Sequence, residues 1–144
     1  MALQRCDDWD LRLGEIIAEW EGQILEPFYG AADCCAFASD CVRAVTADSF
    51  DPWFEWKGSY HDARSAGEEI RRRGHKNLFL LLQSIFGRPV HVSQAKTGDI
   101  VYASLRLEGP QLGICLGVQT VSCAPDGRGL IRVPTLELHR AFHV

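Results

Sequence analysis

The spacing of apolar residues changes along the chain, from a helical period in the first part to a period of two after residue 87. Apolar residues that recur every three or four positions predict amphipathic helices. We expect four of them, beginning near Asp8, Asp33, Ser65 and Asn77, the third of these in a Ser-x-x-Glu capping box. The first should end at Gly22, the third at Gly74 and the fourth at Gly87.

Short apolar runs follow, and such runs are typical of β-strands. Turns rich in glycine and proline separate them, including 97–99 and 125–129. The runs cover 90–92, 100–103, 112–118, 120–123, 130–133 and 141–144. Helices that precede antiparallel strands predict the α+β class. We therefore expect helices packed on a C-terminal antiparallel sheet of about five strands.

Length and composition are those of one ordinary domain covering residues 1–144, with 47% hydrophobic and 24% charged residues. The net charge of -4 argues against a protein that binds nucleic acid through a basic surface. No apolar run is long enough to insert into a membrane. The N-terminus lacks the apolar core of a signal peptide, so we expect synthesis and folding in a cytoplasm.

The six cysteines lie at 6, 34, 35, 41, 115 and 123. Without an export signal we expect reduced thiols. Metal and iron–sulfur sites favour Cys-x-x-Cys pairs, and the sequence contains none, so we predict no metal and no cofactor. A redox protein that uses the adjacent Cys34 and Cys35 is the weakest interpretation, because their disulfide would close a strained ring.

The candidate chemistry lies where a loop enters the second predicted helix. Gly30 permits a turn and Asp33 is a good N-cap, which puts Cys34 in the first helical turn. The helix dipole there favours a thiolate, so Cys34 is a candidate nucleophile. Buried cysteines in small-residue helices are also common as packing, and both interpretations stay open.

A second region rich in aromatic residues spans 48–60 and includes Trp53, Phe54 and Trp56. It either folds back to close the core, which we favour, or forms a groove wall or a partner surface.

The order of these motifs resembles the NlpC/P60 family of papain-like cysteine peptidases, which cut peptide stems in bacterial cell walls. In that family the nucleophile follows Asp at the start of a central helix, the place of Cys34 here. A closer similarity covers nearly the whole chain and is to the DUF6950-type family of phage and prophage tail regions. It rests on 30–40, 51–52, 58–60, 87–90, 98–101, 112–117 and 140–144.

One departure from the peptidase pattern affects the expected function. Active NlpC/P60 enzymes carry a histidine where this chain has Gln111, and glutamine cannot accept the thiol proton. The third polar position of the family corresponds most nearly to Ser122. Among the histidines, His143 is the best substitute base because the resemblance puts the terminal strand in the same sheet, and His139 is the next.

The resemblance implies a structural or assembly protein of a phage tail, at the tail tip, made in the bacterial cytoplasm and catalytically degenerate. Its partners would be other tail proteins. The alternative is a tail-associated endopeptidase or amidase that uses Cys34 to cut host peptidoglycan, with backbone N–H groups holding the oxyanion.

Overall fold

The computed structural model describes residues 4–22, 34–47, 60, 63–105, 109–123 and 129–144. The predictions for Gly30, Asp33, the aromatic segment 48–59 and the turn at 125–128 fall outside these residues. Tyr60, at the end of the aromatic segment, is buried in the core.

Four helices form in the first part of the chain: α1 (Trp9–Glu21), α2 (Cys34–Val45), α3 (Ala63–Arg72) and α4 (Leu78–Phe86). The predicted end of α1 at Gly22 is confirmed. The start at Ser65 is wrong, because α3 begins at Ala63 and Ser65 lies inside its first turn. None of these helices has the length and the apolar character needed to cross a bilayer.

The ends of α4 follow the predicted local chemistry. Asn77 accepts a hydrogen bond from Leu80 N at 2.9 Å, which satisfies one of the unpaired donors of the first turn. Gly87 ends the helix with a φ of 85°, a conformation that glycine adopts without a Cβ clash. The helix is apolar at nearly all positions, which predicts burial, but one side is exposed and Leu80 is 39% accessible to solvent.

Helices α1 and α2 lie antiparallel. Near the end of α1, the Trp20 ring packs edge-on against Phe37, and its Nε1 donates to Asp40 Oδ2 at 2.9 Å. Before the start of α1, Cys6 N donates to Val45 O, at the end of α2. The chain preceding α1 therefore lies at the C-terminal end of α2.

The second part of the chain forms one antiparallel sheet. Its strands are β1 (Val90–His91), β2 (Ile100–Leu105), β3 (Gly109–Cys115), β4 (Gln119–Cys123), β5 (Leu130–Pro134) and β6 (Arg140–Phe142). Their order is β1-β6-β2-β3-β4-β5, so the sheet has six strands rather than about five. The last strand of the chain lies inside the sheet, between β1 and β2.

All six strands differ from the predicted runs at one end or both, and β3 differs most. β3 begins at Gly109 and includes Pro110, near the start of the strand where a missing N–H is tolerated. It ends at Cys115 rather than at residue 118, because Gly117 turns the chain toward β4 with a φ of 104°.

The helices cover one face of the sheet. Register places Ile100, Ile114 and Val121 side by side on three neighbouring strands, and all three are buried with α2 in the main core. We call this the helix-side face. Side chains alternate along a strand, so the next residue on each strand points to the opposite face. There Val101 and Cys115 pack with Val92 in a smaller cluster.

Candidate functional site

Cys34 is the first residue of α2, as predicted. Its side chain is half-buried and packs against the main core formed by the helices and the sheet. The positive end of the helix dipole lies at this terminus and favours a thiolate. All six cysteines, including Cys34, are free thiols in the structure.

Gln111 and Ser122 lie on the neighbouring strands β3 and β4. Ser122 is opposite Gly113, so Gln111, two residues earlier on β3, shares a face of the sheet with Ser122. Gln111 is half-buried and Ser122 is 6% exposed. The Ser122 hydroxyl donates to Leu112 O at 2.6 Å, so its proton is used inside the β3–β4 ladder.

The face shared by Gln111 and Ser122 is opposite the one on which α2 packs. Leu112 and Ile114, the residues of β3 that alternate with Gln111, belong to the helix-side core. Gln111 and Ser122 therefore lie on one face of the sheet, whereas Cys34 lies with α2 on the other. A single catalytic set made of Cys34, Gln111 and Ser122 stays a prediction.

His143 belongs to a separate cluster around Asp99, which we call the Asp99 hub: Arg5, Lys96, Asp99, His143 and Val144. The Asp99 side chain is 1% exposed, and Oδ2 lies 2.7 Å from His143 Nδ1. Arg5 Nη2 donates to Oδ1 at 3.0 Å. The backbone N–H groups of Lys96 and Val144 complete the set of donors at 2.9 and 3.1 Å.

The hub lies at the Cys115 end of the β2–β3 ladder. Just before β2, Asp99 O accepts a hydrogen bond from Cys115 N, whereas Gln111 is opposite Ala103, four residues further along the chain. Four residues of strand span about 13 Å. The hub is thus well separated from Gln111.

The same end of the sheet faces the C-terminal end of α2. Arg5, a member of the hub, precedes Cys6, whose backbone N–H is bonded to Val45 O. Cys34 begins the same helix eleven residues before Val45, a distance of about 16 Å along the axis. His143 is therefore oriented by Asp99 near the far end of α2, and its service as a base for Cys34 stays a prediction.

His139, the second substitute base, immediately precedes β6. It is exposed, and its backbone N–H donates to Tyr102 O at 3.1 Å. Its role as a base likewise stays a prediction.

Among the described residues, three groups have clearly shifted pKa values, each with a local cause. Burial, the nearby Asp40 charge and Cys123 together raise the pKa of Cys41 well above its usual range, so this thiol stays protonated. Desolvation and a hydrogen bond with Asp8 raise the pKa of Cys6. Hydrogen bonds from Cys6 and Arg12 lower the pKa of Asp8.

The sequence reasoning missed the role of Asp99 and of Arg5. The turn at 97–99 was predicted, and Gly98 has the expected positive φ of 94°. A carboxylate between such a turn and an apolar strand lies at the edge of the core. This position in the sequence could have indicated a structural role for Asp99. Its partners Arg5 and His143 are 94 and 44 residues away, so no local pattern joins them.

Comparison with protein families places nearly the whole chain in one family. The model of DUF6950, a domain of unknown function, matches residues 4–144. The chain belongs to this family. A search of curated proteins gives no match.

Proposed function

We propose that this protein is a structural or assembly component of a phage tail, at the tail tip, built on a NlpC/P60-like fold that has lost catalysis. The observation that carries the proposal is Gln111. Gln111 lies in β3 and, by the resemblance to NlpC/P60 enzymes, corresponds to their histidine. A glutamine amide cannot accept a proton from a thiol at neutral pH.

Two further contacts support the loss of catalysis. The Ser122 hydroxyl, at the third polar position, donates to Leu112 O, a contact within the sheet. The His143 imidazole is bonded to the buried Asp99. Ser122 thus has a contact of its own within the sheet, and His143 is held near the C-terminal end of α2, whereas Cys34 begins that helix.

The direct test is the composition of the assembled particle. Mass spectrometry of purified virions and of tail assembly intermediates should find the chain in stable association with another tail protein. Deletion of its coding sequence should yield defective tails. Absence of the chain from both virions and tail intermediates would exclude the structural role.

The alternative, a tail-associated endopeptidase or amidase, is favoured by one observation: Cys34 is the first residue of α2. The test is site-resolved alkylation of Cys34 against pH. An ordinary thiol titrates near ~8.5, and one paired with a cation at roughly 3.5–7.5. A low value that is lost in His143→Gln or His139→Gln would favour the enzyme.

Digestion of purified peptidoglycan is the matching activity assay. The tail-protein proposal predicts equal and negligible release of peptides by the native protein and by Cys34→Ala. Release by the native protein alone would favour the peptidase.

A further inference from the structure

The outer strand β1 and its neighbour β6 carry basic side chains in a chain whose net charge is -4. Register sets His91 of β1 directly opposite Arg140 of β6, and Arg88 precedes β1 by two residues. All three residues are exposed. We call Arg88, His91 and Arg140 the basic edge. The segments 88–96 and 138–144 contain no Asp and no Glu.

The basic edge differs from most of the other arginine sites in how its charge is balanced. Elsewhere, arginine side chains lie within 4.0 Å of a carboxylate, as at Arg12, Arg64, Arg72, Arg73 and Arg132. Within the part of the chain that the structure describes, Arg88, His91 and Arg140 have no such partner. His91 Nδ1 accepts a hydrogen bond from Ser93 N at 3.1 Å, so the positive charge of the basic edge comes from Arg88 and Arg140. These two guanidinium groups attract an acidic group.

The backbone at this edge suits an extended ligand. In the described sheet β1 has β6 as its one neighbouring strand, so its other side is an edge. An extended segment can lie along such an edge as an added strand, with backbone contacts for affinity and side-chain contacts for specificity. Acidic side chains at alternate positions of that segment would fall on the face that carries His91 and Arg140.

We propose that the basic edge binds an extended acidic polypeptide segment of a partner protein. The proposal does not depend on the tail assignment, because it rests on the charges and register of β1 and β6 alone. A protein segment fits better than nucleic acid for two reasons. The overall charge of -4 repels a long polyanion more strongly than a short segment with a few carboxylates. The outer side of β1 also supplies backbone pairing that an extended polypeptide can use and a nucleic acid cannot.

The test uses the full chain and a short capped peptide in which glutamate and valine alternate. Titration followed by amide chemical shifts at low salt should shift the signals of Val90, His91 and Arg140. A peptide with glutamine in place of glutamate is the ligand control. In the double variant Arg88→Glu/Arg140→Glu the affinity should fall by about tenfold or more.

The matched protein control is Arg71→Glu. Arg71 is an exposed arginine in α3 that also has no carboxylate partner among the described residues, and it lies outside the basic edge. Its substitution should leave the affinity unchanged. Far-UV circular dichroism of each variant verifies that the fold is retained.

Three results would overturn the proposal. They are equal loss of affinity in Arg71→Glu and in the double variant, peptide-induced shifts that avoid β1 and β6, and absence of shifts at millimolar peptide. Tighter binding of single-stranded DNA than of the acidic peptide would also overturn it, in favour of a nucleic-acid surface.

Discussion

Two groups of polar side chains along the sheet, the Asp99 hub and the pair Gln111 and Ser122, are held by different contacts. In the hub a carboxylate that is 1% exposed joins an imidazole and a guanidinium. In the other group Gln111 is half-buried and Ser122 is bonded to a backbone carbonyl. The residue types expected of a catalytic centre thus meet in the hub, where the Asp99 carboxylate joins Arg5, His143 and Val144 from distant parts of the chain.

The comparison teaches that an oriented histidine is not by itself a sign of catalysis. Asp99 accepts hydrogen bonds from both ends of the described chain, through Arg5 on one side and His143 and Val144 on the other. A buried carboxylate with this many donors is a structural requirement, because its removal leaves the charge of Arg5 and two backbone donors without their acceptor.

Asp99→Ala should have the largest effect on stability and break the hub. We expect the free energy of unfolding to fall by about 3–5 kcal/mol, since one partner of a buried ion pair is lost. Urea unfolding measures it. The control is Glu137→Ala, an exposed carboxylate near the same end of the sheet, with an expected change within about 0.5 kcal/mol. A loss no larger than the control's would show that the hub contributes little.

Gly113→Ala should have the next largest effect on stability. Gly113 lies in β3 directly opposite Ser122. A Cβ at residue 113 would come within 2.6 Å of Thr120 Cγ2 and 2.8 Å of Val121 O. Overpacking of this kind costs about 1–3 kcal/mol, which urea unfolding would report.

Gly14→Ala provides the matched control for that substitution. A Cβ at this exposed position in α1 would meet nothing within 4 Å, so helix propensity should raise stability by about 0.5–1 kcal/mol. If both glycine variants were equally stable, close packing of β3 against β4 would not be the reason for Gly113.

The pH dependence of stability tests the raised pKa of Cys41, a buried residue of the same helix as Cys34. The raised pKa of Cys41 means that above about pH 8.5 the unfolded chain releases a proton that the folded chain retains. The free energy of unfolding should therefore fall as pH rises, by at most about 1.4 kcal/mol per pH unit from this group. Below that pH the contribution is fully present.

Comparison with Cys41→Ala isolates this thiol. The variant should lose overall stability and show a smaller decline between pH 8.5 and 10, measured by urea unfolding at each pH. A decline of the same steepness in both proteins would assign the effect to other groups.

Ser122→Ala should give the smallest change and sharpens the contrast with the hub. Loss of the hydrogen bond to Leu112 O is expected to cost about 1 kcal/mol. The alkylation rate of Cys34 should stay unchanged. An altered rate would mean that Ser122 acts on Cys34, as the peptidase alternative requires.

Local chemistry made much of the fold predictable. The small apolar residues after Asp33 predicted α2 from Cys34 onward, and Asn77 and Gly87 predicted both ends of α4. The Ser-x-x-Glu motif misled because four residues can match a cap by composition while the helix has already begun at Ala63. A four-residue motif does not show whether the residues before it are already helical.

The Asp99 hub and the two faces of β3 could not be predicted from short sequence patterns, because both depend on contacts between distant residues. The hub depends on side chains up to 139 residues apart, so it follows from the strand order and not from any short pattern. The position of Gln111 was identified by resemblance, but the face on which it lies became clear only from the register of β3 with β2 and β4.

The hydrogen bond from Arg5 Nε to Val144 O, at 2.9 Å, also has a consequence for synthesis. Arg5 leaves the ribosome early, and its acceptors Thr97, Asp99 and Val144 follow in that order along the chain. Until the last of them has emerged, β6 cannot enter the sheet between β1 and β2. Helices α1 and α2 can pair during translation, whereas the sheet is completed only after residue 144 has left the exit tunnel.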